Sequence, residues 1–231
     1  MFIEDVNKMK VGIMGGTGNI GEGLARRICL GGKYDVVIGS RETSKAEVAA
    51  DGVVCCLKEN KCTLTTCSGA TNADVCDCDI IIMSLPFDKL ESTIETIGKS
   101  KFENKIVVSL INPMIRNPKE KYFLPDCPTE GSAALALKKL LPESAKICTG
   151  FNNVAAGKWM QLEEELDYSV VVCGDDADAK KRVMDLVSSV SKLQPLNGGP
   201  LAVSGIIESI TPLVITLAMN NGLKDVGVYF R

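Results

Sequence analysis

The stretch from Val11 to Gly21, VGIMGGTGNIG, decides the fold of this chain. An apolar run from Lys10 to Met14 leads into a glycine-rich turn, in which Gly16, Gly18 and Gly21 have the spacing G-x-G-x-x-G. Glycines at this spacing permit a tight turn, a close approach of a pyrophosphate and close packing of a helix on a strand. The free N–H groups at the start of that helix can bind phosphate. The pattern therefore predicts a strand–turn–helix unit that binds a dinucleotide.

The end of the next strand indicates which dinucleotide binds. After a helix over residues 20–30 and a second strand over residues 34–38, the chain continues with Ser40, Arg41 and, one turn later, Lys45. NAD-binding proteins usually place Asp or Glu there, to accept a hydrogen bond from the ribose 2′-hydroxyl. A hydroxyl, a guanidinium and an ammonium suit a 2′-phosphate instead. The sequence thus predicts NADP.

A second interpretation of these cations stays open. Arg41 and Lys45 would be solvated loop charges that balance Glu42 and Glu47. The distance from the glycine motif favours phosphate binding, because the cations stand where the fingerprint expects its acidic residue.

Composition narrows the class of protein. The 231 residues carry a formal net charge of −3, which argues against a nucleic-acid partner. The charged residues Glu4, Asp5 and Lys8 interrupt the segment Met1–Met9, so it is not an apolar run. We therefore expect no signal peptide, and residues 1–8 read as an extension. The most apolar long segment, Leu201–Met219, contains Glu208 and Pro212, which favours a buried or dimer-forming helix over a membrane span. We expect a cytoplasmic protein with no membrane partner.

The chain contains ten cysteines and no histidine. Six cysteines lie close together in sequence: Cys55, Cys56, Cys62, Cys67, Cys76 and Cys78. No pair has the C-x-x-C spacing of zinc or iron–sulfur sites, so we expect buried thiols in a reducing cytoplasm and no metal. A metal or redox role for this cluster stays open, because cluster ligation by thiolates tolerates irregular spacing.

Strands and helices alternate along the rest of the chain. Further strands are predicted within 55–67 and over 79–86, 105–113, 145–151 and 168–176. Further helices are predicted over 73–78, 87–99, 132–141 and 177–190, with Asp175 or Asp176 capping the last one. The alternation predicts an α/β fold with a doubly wound parallel sheet.

The domain organisation follows from this order. We expect residues 1–156 to form a Rossmann dinucleotide-binding domain, to whose sheet residues 168–193 return. Residues 157–167 and 194–231 would form a small helical part that closes the cleft, with helices over 159–166 and 200–220. Apolar residues at helical spacing form a wide stripe in the second of these helices: Ile206, Ile207, Ile210, Leu213, Val214 and Leu217. One side of the stripe would cover the cleft, and the excess suits a homodimer interface.

Ligand sites of such sheets lie at the carboxyl ends of the strands. The ends concerned are residues 84–86, 110–113 and 151–154. Asn112 and Asn152 would bind the nicotinamide carboxamide or a second substrate, or else satisfy loop backbone. Lys158 is the only nearby candidate for an acid or base, and nothing else in the sequence supports that role. We therefore assign no catalytic residue.

From Met9 onward the chain resembles the coenzyme F420-dependent NADP reductases, archaeal enzymes that pass a hydride between NADP and a deazaflavin. The resemblance rests on Gly15–Gly21, Gly39–Arg41 with Lys45, Val172–Asp176 and Glu208–Val214 with Asn221-Gly222. Motif and resemblance together imply an NADP site that contains the following residues: Gly16, Thr17, Gly18, Asn19, Ile20, Ser40, Arg41, Lys45, Ser84, Leu85, Pro86, Asn112 and Ala156. The resemblance also implies that F420 stacks on the nicotinamide near Asn152, Val154 and Leu223.

One position departs from the family pattern. The family typically has a histidine that touches the deazaflavin where this chain has Asn152. The segment Gly150–Ala156 resembles instead the F-N-x-V loop of related reductases. Two alternatives to an F420 reductase therefore stay open. One is an NADPH-dependent reductase of another acceptor, such as a flavin, a ferric chelate or a small carbonyl. The other is an NADP-binding protein without turnover of F420.

Overall fold

The computed structural model describes residues 8–117 and 119–230. The expected N-terminal extension therefore lies almost entirely outside the described residues. The strands are β1 (Lys10–Met14), β2 (Asp35–Ser40), β3 (Cys67–Thr71), β4 (Ile80–Met83), β5 (Ile106–Ser109), β6 (Met114–Asn117), β7 (Tyr122–Pro125), β8 (Lys146–Thr149), β9 (Tyr168–Val172) and β10 (Leu193–Asn197). The α-helices are α1 (Asn19–Leu30), α2 (Thr43–Glu59), α3 (Leu90–Ile97), α4 (Ala133–Leu140), α5 (Ala177–Ser189) and α6 (Ser204–Asn221).

Six parallel strands form the central sheet in the order β3-β2-β1-β4-β5-β8. Val11 in β1 is paired with Val36 of β2 on one side and with Ile80 of β4 on the other. The chain builds the sheet outward from β1 in both directions, so the strand order reverses between β1 and β4. Ligands of such sheets bind at this reversal. The predicted doubly wound α/β fold is confirmed.

The sheet is covered on both faces because its central strands are apolar on both faces. In β4, alternate side chains point to opposite faces of the sheet. Ile80 and Ile82 pack in a core with α1, α2 and α5. Ile81 and Met83 pack in a second core with α3 and α4. These two cores fix the positions of the strands, so that their carboxyl ends lie along one edge of the sheet.

The third strand was predicted within residues 55–67, and this prediction is wrong. Helix α2 contains Cys55 and Cys56 and continues to Glu59, because Val53, Cys56 and Leu57 are buried at helical spacing. The strand is β3, which begins only at Cys67. Its small residues allow close packing: a Cβ on Gly69 would lie 2.3 Å from the carbonyl carbon of Ala46 in α2.

The predicted helix over residues 159–166 is also wrong. After a short 3-10 helix at Ala156–Lys158, the chain continues in turns. The buried guanidinium of Arg27 in α1 donates to the carbonyl groups of this segment, at distances between 2.6 and 3.2 Å. The carbonyl groups concerned belong to Lys158, Trp159, Gln161 and Glu164. These bonds to a single side chain draw the carbonyl groups toward α1 and hold the segment in an irregular conformation.

Two other predicted helices are shorter than expected. The segment 73–78 contains a 3-10 helix at Asp74–Asp77. The segment 87–99 divides into a 3-10 helix at Phe87–Lys89 and α3. Gly98, with a φ of 93°, ends α3, because this backbone conformation is costly for residues other than glycine.

Three strands were missed by sequence reasoning. Strands β6 and β7 form an antiparallel hairpin that packs against α6. Strand β10 was expected in the helical part but pairs in parallel with β9. The end of β9 reaches the central sheet, where the Thr149 N–H donates to the Cys173 carbonyl at 2.9 Å.

The C-terminal region consists of α6 and a strap that follows it. Helix α6 contains Pro212 and ends at Gly222, whose φ is 63°. Within the described part of the chain, Leu201–Asn221 is the one helical stretch long and apolar enough to cross a membrane, and 28% of its most apolar 18 residues are buried. The strap returns along β9, where the Phe230 N–H donates to the Ser169 hydroxyl at 2.9 Å.

Candidate functional site

The glycine turn between β1 and α1 is locked to its surroundings by backbone hydrogen bonds. The Gly16 N–H donates to the Gly39 carbonyl at 2.9 Å, and the Gly15 N–H donates to Asn72 Oδ1 at 3.1 Å. A Cβ on Gly21 would lie 2.5 Å from the Gly16 Cα, so α1 can start this close to the turn only with glycine. A Cβ on Gly18 would meet nothing within 4 Å, which leaves this side of the turn open.

Two cavities adjoin this turn, and the first one we call the charged cavity. It has a volume of about 750 Å³ and lies at the ends of β1, β2, β3 and β4. Its lining residues are Gly15, Thr17, Ser40, Arg41, Glu42, Lys45, Thr71, Asn72, Ala73, Ser84, Leu85, Pro86, Lys89, Ser92, Thr93, Thr96 and Ile97. Seven of the predicted NADP-site residues line it, and two of them carry positive charge.

Arg41 lies just before α2 and Lys45 lies in its first turn, and Lys45 is paired with a carboxylate. Lys45 Nζ is 2.6 Å from Glu42 Oε1, and both side chains are largely exposed. This hydrogen bond is the main reason why the pKa of Glu42 lies below its ordinary value. The Glu42 N–H donates to the Ser40 hydroxyl at 3.3 Å. The cavity therefore presents two cations and one carboxylate at the position expected to bind a 2′-phosphate.

Asn72 is a site residue that sequence reasoning missed. It follows β3 directly, its side chain is buried, and Oδ1 holds the glycine turn through Gly15. Its own N–H donates to the Ser40 carbonyl at 3.0 Å, so Asn72 joins the ends of β1, β2 and β3. An Asn after a strand end is a usable signal, but the misplacement of β3 hid it.

The residues after β4 form the wall behind the glycine turn. The Ser84 N–H donates to the Met14 carbonyl at 3.0 Å. A Cβ on Gly15 would lie 2.5 Å from Leu85 Cδ2, and the φ of Gly15 is 70°. Glycine is therefore required here both for conformation and for space.

The second cavity, which we call the apolar cavity, has a volume of about 420 Å³. It lies beyond the start of α1 and is closed by α6 and the C-terminal strap. Its lining residues are Ile20, Leu110, Asn112, Met114, Phe151, Asn152, Asn153, Val154, Ala155, Ala156, Gly157, Trp159, Thr211, Val214, Ile215, Ala218, Met219, Leu223, Asp225 and Val226. All three predicted contacts of the second substrate, Asn152, Val154 and Leu223, line this cavity together with Ile20, Asn112 and Ala156.

A network of side-chain amides holds one wall of the apolar cavity. Asn112 Nδ2 and the Thr211 hydroxyl both donate to the Asn152 carbonyl, at 2.8 and 2.7 Å. Asn152 Nδ2 donates to Asn112 Oδ1 at 3.2 Å and to the Ile111 carbonyl at 3.3 Å. Because both acceptors require a donor, the amide orientation of Asn152 is fixed, and its buried Oδ1 has no partner in the described part of the chain.

The preceding residue shows that this loop has an unusual backbone. Phe151 has a φ of 65°, a region that costs a non-glycine residue free energy. Its buried ring packs edge-on against Trp159, with the ring centroids 5.9 Å apart. Tight packing therefore maintains the loop that carries Asn152.

Of the described residues that line the apolar cavity, Asp225 is the only one with an ionisable side chain. Lys158, the acid or base candidate from the sequence, lines neither cavity and forms an ion pair with Glu164. Asp176 caps α5 by accepting from the Ala179 N–H at 2.8 Å. Asp175 accepts from the Leu201 N–H at 3.0 Å and forms an ion pair with Lys138. The two aspartates therefore serve helix starts.

The remaining predicted residues lie in the turn itself. Gly16, Gly18 and Asn19 line neither cavity. Gly18 is the N-cap of α1 and Asn19 is its first residue. The turn thus separates the two cavities and contributes Thr17 to one and Ile20 to the other.

The cysteines are free thiols and do not gather into one group. Cys55 is exposed on α2, whereas Cys76 and Cys78, which follow β3 in the chain, are buried. Burial raises the pKa of Cys76 and of Cys78 to about 11, so these thiols stay protonated at neutral pH. Among the described residues no group of three or more His, Cys, Asp or Glu is placed to hold a metal ion.

Comparison with known proteins assigns the chain to a family. A family model described as "NADP oxidoreductase coenzyme F420-dependent" matches residues 10–113. The F420-dependent NADP reductase of Methanocaldococcus jannaschii is 36% identical over 221 residues, which cover 95% of this chain and 97% of that protein. The chain belongs to the F420-dependent NADP reductase family. The resemblance stated from the sequence is thereby confirmed.

Other members and a solved structure agree with this assignment. The F420-dependent NADP reductase of Methanothermobacter thermautotrophicus is 30% identical over 225 residues, covering 95% of this chain and 94% of that protein. A crystal structure from Arthrobacter sp. FB24, of a protein proposed to be an F420-dependent NADP reductase, has the same fold. Its TM-score is 0.76 at 21% identity, with 96% of this chain and 99% of that chain covered. The family model ends at residue 113, so the residues of the apolar cavity beyond Pro113 lie outside it. The alignments with these relatives, which cover 95% of this chain, extend beyond that point.

Proposed function

We propose that this chain transfers a hydride between NADP(H) and coenzyme F420. One observation carries the proposal: a single glycine turn separates a charged cavity from an apolar one. A dinucleotide whose pyrophosphate lies on this turn would place its 2′-phosphate near Arg41 and its nicotinamide beside Ile20. The apolar cavity extends beyond the nicotinamide position and leaves room for a second ring. The family assignment supports F420 as that second substrate.

The turn fits a pyrophosphate. A Cβ on Gly16 would lie 2.8 Å from the Ile13 carbonyl oxygen, so glycine lets the turn pack directly against the end of β1. Gly18, open on its outer side, precedes the free N–H groups of α1. These donors and the helix dipole favour a bound anion. Gly16, Gly18, Asn19 and Thr17 would thus hold the pyrophosphate.

The described residues of the apolar cavity orient rings and exclude water. When bound, the nicotinamide and the deazaflavin supply the hydride chemistry, which requires the two rings stacked at roughly 3–3.5 Å. Ala156 and Asn112 would contact the nicotinamide, while Asn152, Val154 and Leu223 would contact the deazaflavin. The unpartnered Oδ1 of Asn152 suits an N–H of a bound ring. No proton transfer by a side chain is needed for the hydride itself, which agrees with the scarcity of ionisable groups there.

The test is anaerobic mixing of purified protein with NADPH and oxidised F420, following the bleaching of the deazaflavin absorbance. Rapid bleaching supports the proposal and shows that Asn152 serves where the family typically has histidine. No bleaching of F420 by protein that binds NADPH contradicts it. Oxidation of NADPH by a flavin or a ferric chelate in the same assay would identify a reductase of another acceptor.

A pair of variants locates the second substrate. Val214 lines the apolar cavity from α6, and Leu217 lies on the exposed face of the same helix. Val214→Phe would fill space required by the deazaflavin, so we expect F420 turnover to fall at least about tenfold, since enzyme rates are sensitive to ring placement. Leu217→Phe is the matched control and should keep turnover. Equal activity of both variants would place F420 elsewhere.

We further propose that the protein acts in the cytoplasm as a homodimer. Part of α6 is apolar and exposed: Ile206 is 68% exposed, Leu213 58% and Leu217 45%. Exposed apolar residues on one face mark an interaction surface. A second copy of the chain that packs on this face would bury these apolar residues. They would then no longer be available to insert into a membrane.

A further inference from the structure

The charged cavity contains a carboxylate that the proposed NADP site does not require. Glu42 lines the cavity between Arg41 and Lys45, and its side chain is 61% exposed. It is the N-cap residue of α2, yet its side chain makes no capping hydrogen bond. Its carboxylate bonds Lys45 instead, at 2.6 Å. The Glu42 carboxylate therefore does not cap the helix that follows it.

The charge of this group works against a 2′-phosphate. A phosphate monoester carries about −1.5 to −2 charges at neutral pH, and Glu42 adds a like charge beside it. Lys45 is the main cause of the lowered pKa of Glu42, so the carboxylate is ionised at neutral pH. Arg41, Lys45 and Glu42 together carry a net charge of +1. Without Glu42, the two cations would present a charge of +2 to the ligand.

The same carboxylate suits a ribose 2′-hydroxyl. NAD-binding sites use Asp or Glu near the end of the second strand to accept this hydrogen bond. Glu42 comes two residues after Ser40, where β2 ends, and lines the same cavity as Ser40. The Ser40 hydroxyl already accepts from the Glu42 N–H, so Ser40 and Glu42 lie beside each other at this edge.

We propose that Glu42 is a specificity-determining residue that lets the charged cavity accept NAD(H) as a second, weaker nucleotide. With NAD(H), the carboxylate accepts from the 2′-hydroxyl while Lys45 stays paired with it. With NADP(H), the 2′-phosphate draws Lys45 away, because an exposed ion pair is held weakly. The inference rests on the nucleotide half of the proposed function and does not involve F420.

Glu42→Gln tests this inference, with Glu47→Gln as matched control. Glu47 lies in the same helix and does not line the cavity, so both variants lose one negative charge. We expect Glu42→Gln to bind NADP+ about 3- to 10-fold more tightly and NAD+ about 3- to 10-fold more weakly, as loss of one charged hydrogen bond allows. Glu47→Gln should keep the ratio of the two dissociation constants within about twofold of wild type, because its charge lies outside the site.

Titrations with NADP+ and NAD+ at low and high salt give these constants. An unchanged ratio in Glu42→Gln, or weaker binding of NADP+, overturns the inference. Equal effects of the two variants overturn it too, since they would report general charge only. Protein that shows the expected ratios but does not bleach F420 contradicts the proposed reaction and leaves this inference standing. Wild-type protein that binds neither nucleotide overturns both.

Discussion

Arg41 and Lys45 should contribute unequally to the binding of NADP. Lys45 is paired with Glu42, which weakens its attraction for a phosphate, whereas Arg41 forms no hydrogen bond or salt bridge with any described residue. We expect the double variant Arg41→Ala with Lys45→Ala to weaken NADP+ binding about 100- to 1000-fold through the loss of two charge-assisted hydrogen bonds. Of the single variants, Arg41→Ala should have the larger effect.

The dissociation constants of NADP+ and NAD+ measure this effect directly. NAD+ lacks the 2′-phosphate, so its affinity should change by less than about threefold. Equal losses for the two nucleotides would mean that these cations do not recognise the phosphate and are solvated loop charges.

Glu208 gives the stability of the protein a dependence on pH. Its carboxylate is buried and accepts from the N–H groups of Ala133 and Ala134, at 2.8 and 3.1 Å. Burial raises its pKa to about 7. The folded protein then binds the proton more tightly than the unfolded chain does. The resulting stabilisation is complete below the ordinary value of 4.5 and disappears as the pH rises through 7.

Glu208→Gln removes this titration. Relative to the variant, wild-type protein should lose on the order of 3 kcal/mol in free energy of unfolding between pH 4.5 and 7. Denaturant titrations across this range measure the difference, with the exposed Glu143→Gln as control. A difference in free energy of unfolding between wild type and Glu208→Gln that stays constant over this pH range would contradict the raised pKa. It would show that the N–H groups at the start of α4 keep Glu208 ionised throughout.

At the scale of elements, one side chain of α1 shapes the wall of the apolar cavity. The Arg27 guanidinium bonds four carbonyl groups of residues 158–164, and this segment carries Trp159 into the cavity. A Cβ on Gly23, one turn earlier in α1, would lie 2.6 Å from Trp159. The helix and the irregular segment are therefore in direct contact.

Arg27→Met should destabilise the fold by about 2–4 kcal/mol, since several buried carbonyls lose their donor. Hydrogen exchange of residues 157–164 should increase more than that of the central sheet. Arg26→Met is the matched control, because Arg26 forms an i,i+4 ion pair with Glu22. Such a pair contributes about 0.5 kcal/mol. Similar effects of both variants would show that the carbonyl bonds of Arg27 do not hold the segment.

The elements predicted correctly share one property, which is a strong local signal. Strand β4 is a run of buried aliphatic residues, and α5 starts at a capping Asp176. The hairpin β6–β7 lacks such a signal, since its strands contain Arg116 and Pro125. Its position depends on α6, where the Thr216 hydroxyl accepts from the Phe123 N–H at 2.8 Å. Contacts between residues distant in sequence give no local pattern to read.

At the scale of the whole molecule, the exposed face of α6 carries the proposed dimer interface. We expect wild-type protein to be a dimer by light scattering at micromolar concentration. Leu213→Lys with Leu217→Lys should give a folded monomer, because charge on an apolar interface opposes its burial. Val48→Lys changes a still more exposed apolar residue, on α2, and should leave the dimer intact. A wild-type monomer, or wild-type protein found only in membranes, contradicts the dimer.

The division of the site into two cavities also belongs to this scale. The sequence predicted the candidate residues near strand ends, with a second substrate beside the nicotinamide, but gave no division of the site into two cavities. The fold divides them, because Thr17 of the glycine turn lines the charged cavity whereas Ile20 of α1 lines the apolar cavity. Lys158 shows the converse, since its proximity in sequence to the loop at Asn152 does not bring it into either cavity.

The sequence by itself determined the strand–turn–helix unit, the alternation that produces the doubly wound sheet and the positions of the cations after β2. These features rest on local chemistry, namely backbone freedom at glycine, hydrophobic periodicity and charge. Only the tertiary structure decided that Glu42 and Asn72 belong to the site, and that the carbonyl groups of residues 158–164 bind Arg27 where a helix was predicted over 159–166. Each of these depends on contacts between segments far apart in the chain, which form only when the sheet and its two cores are assembled.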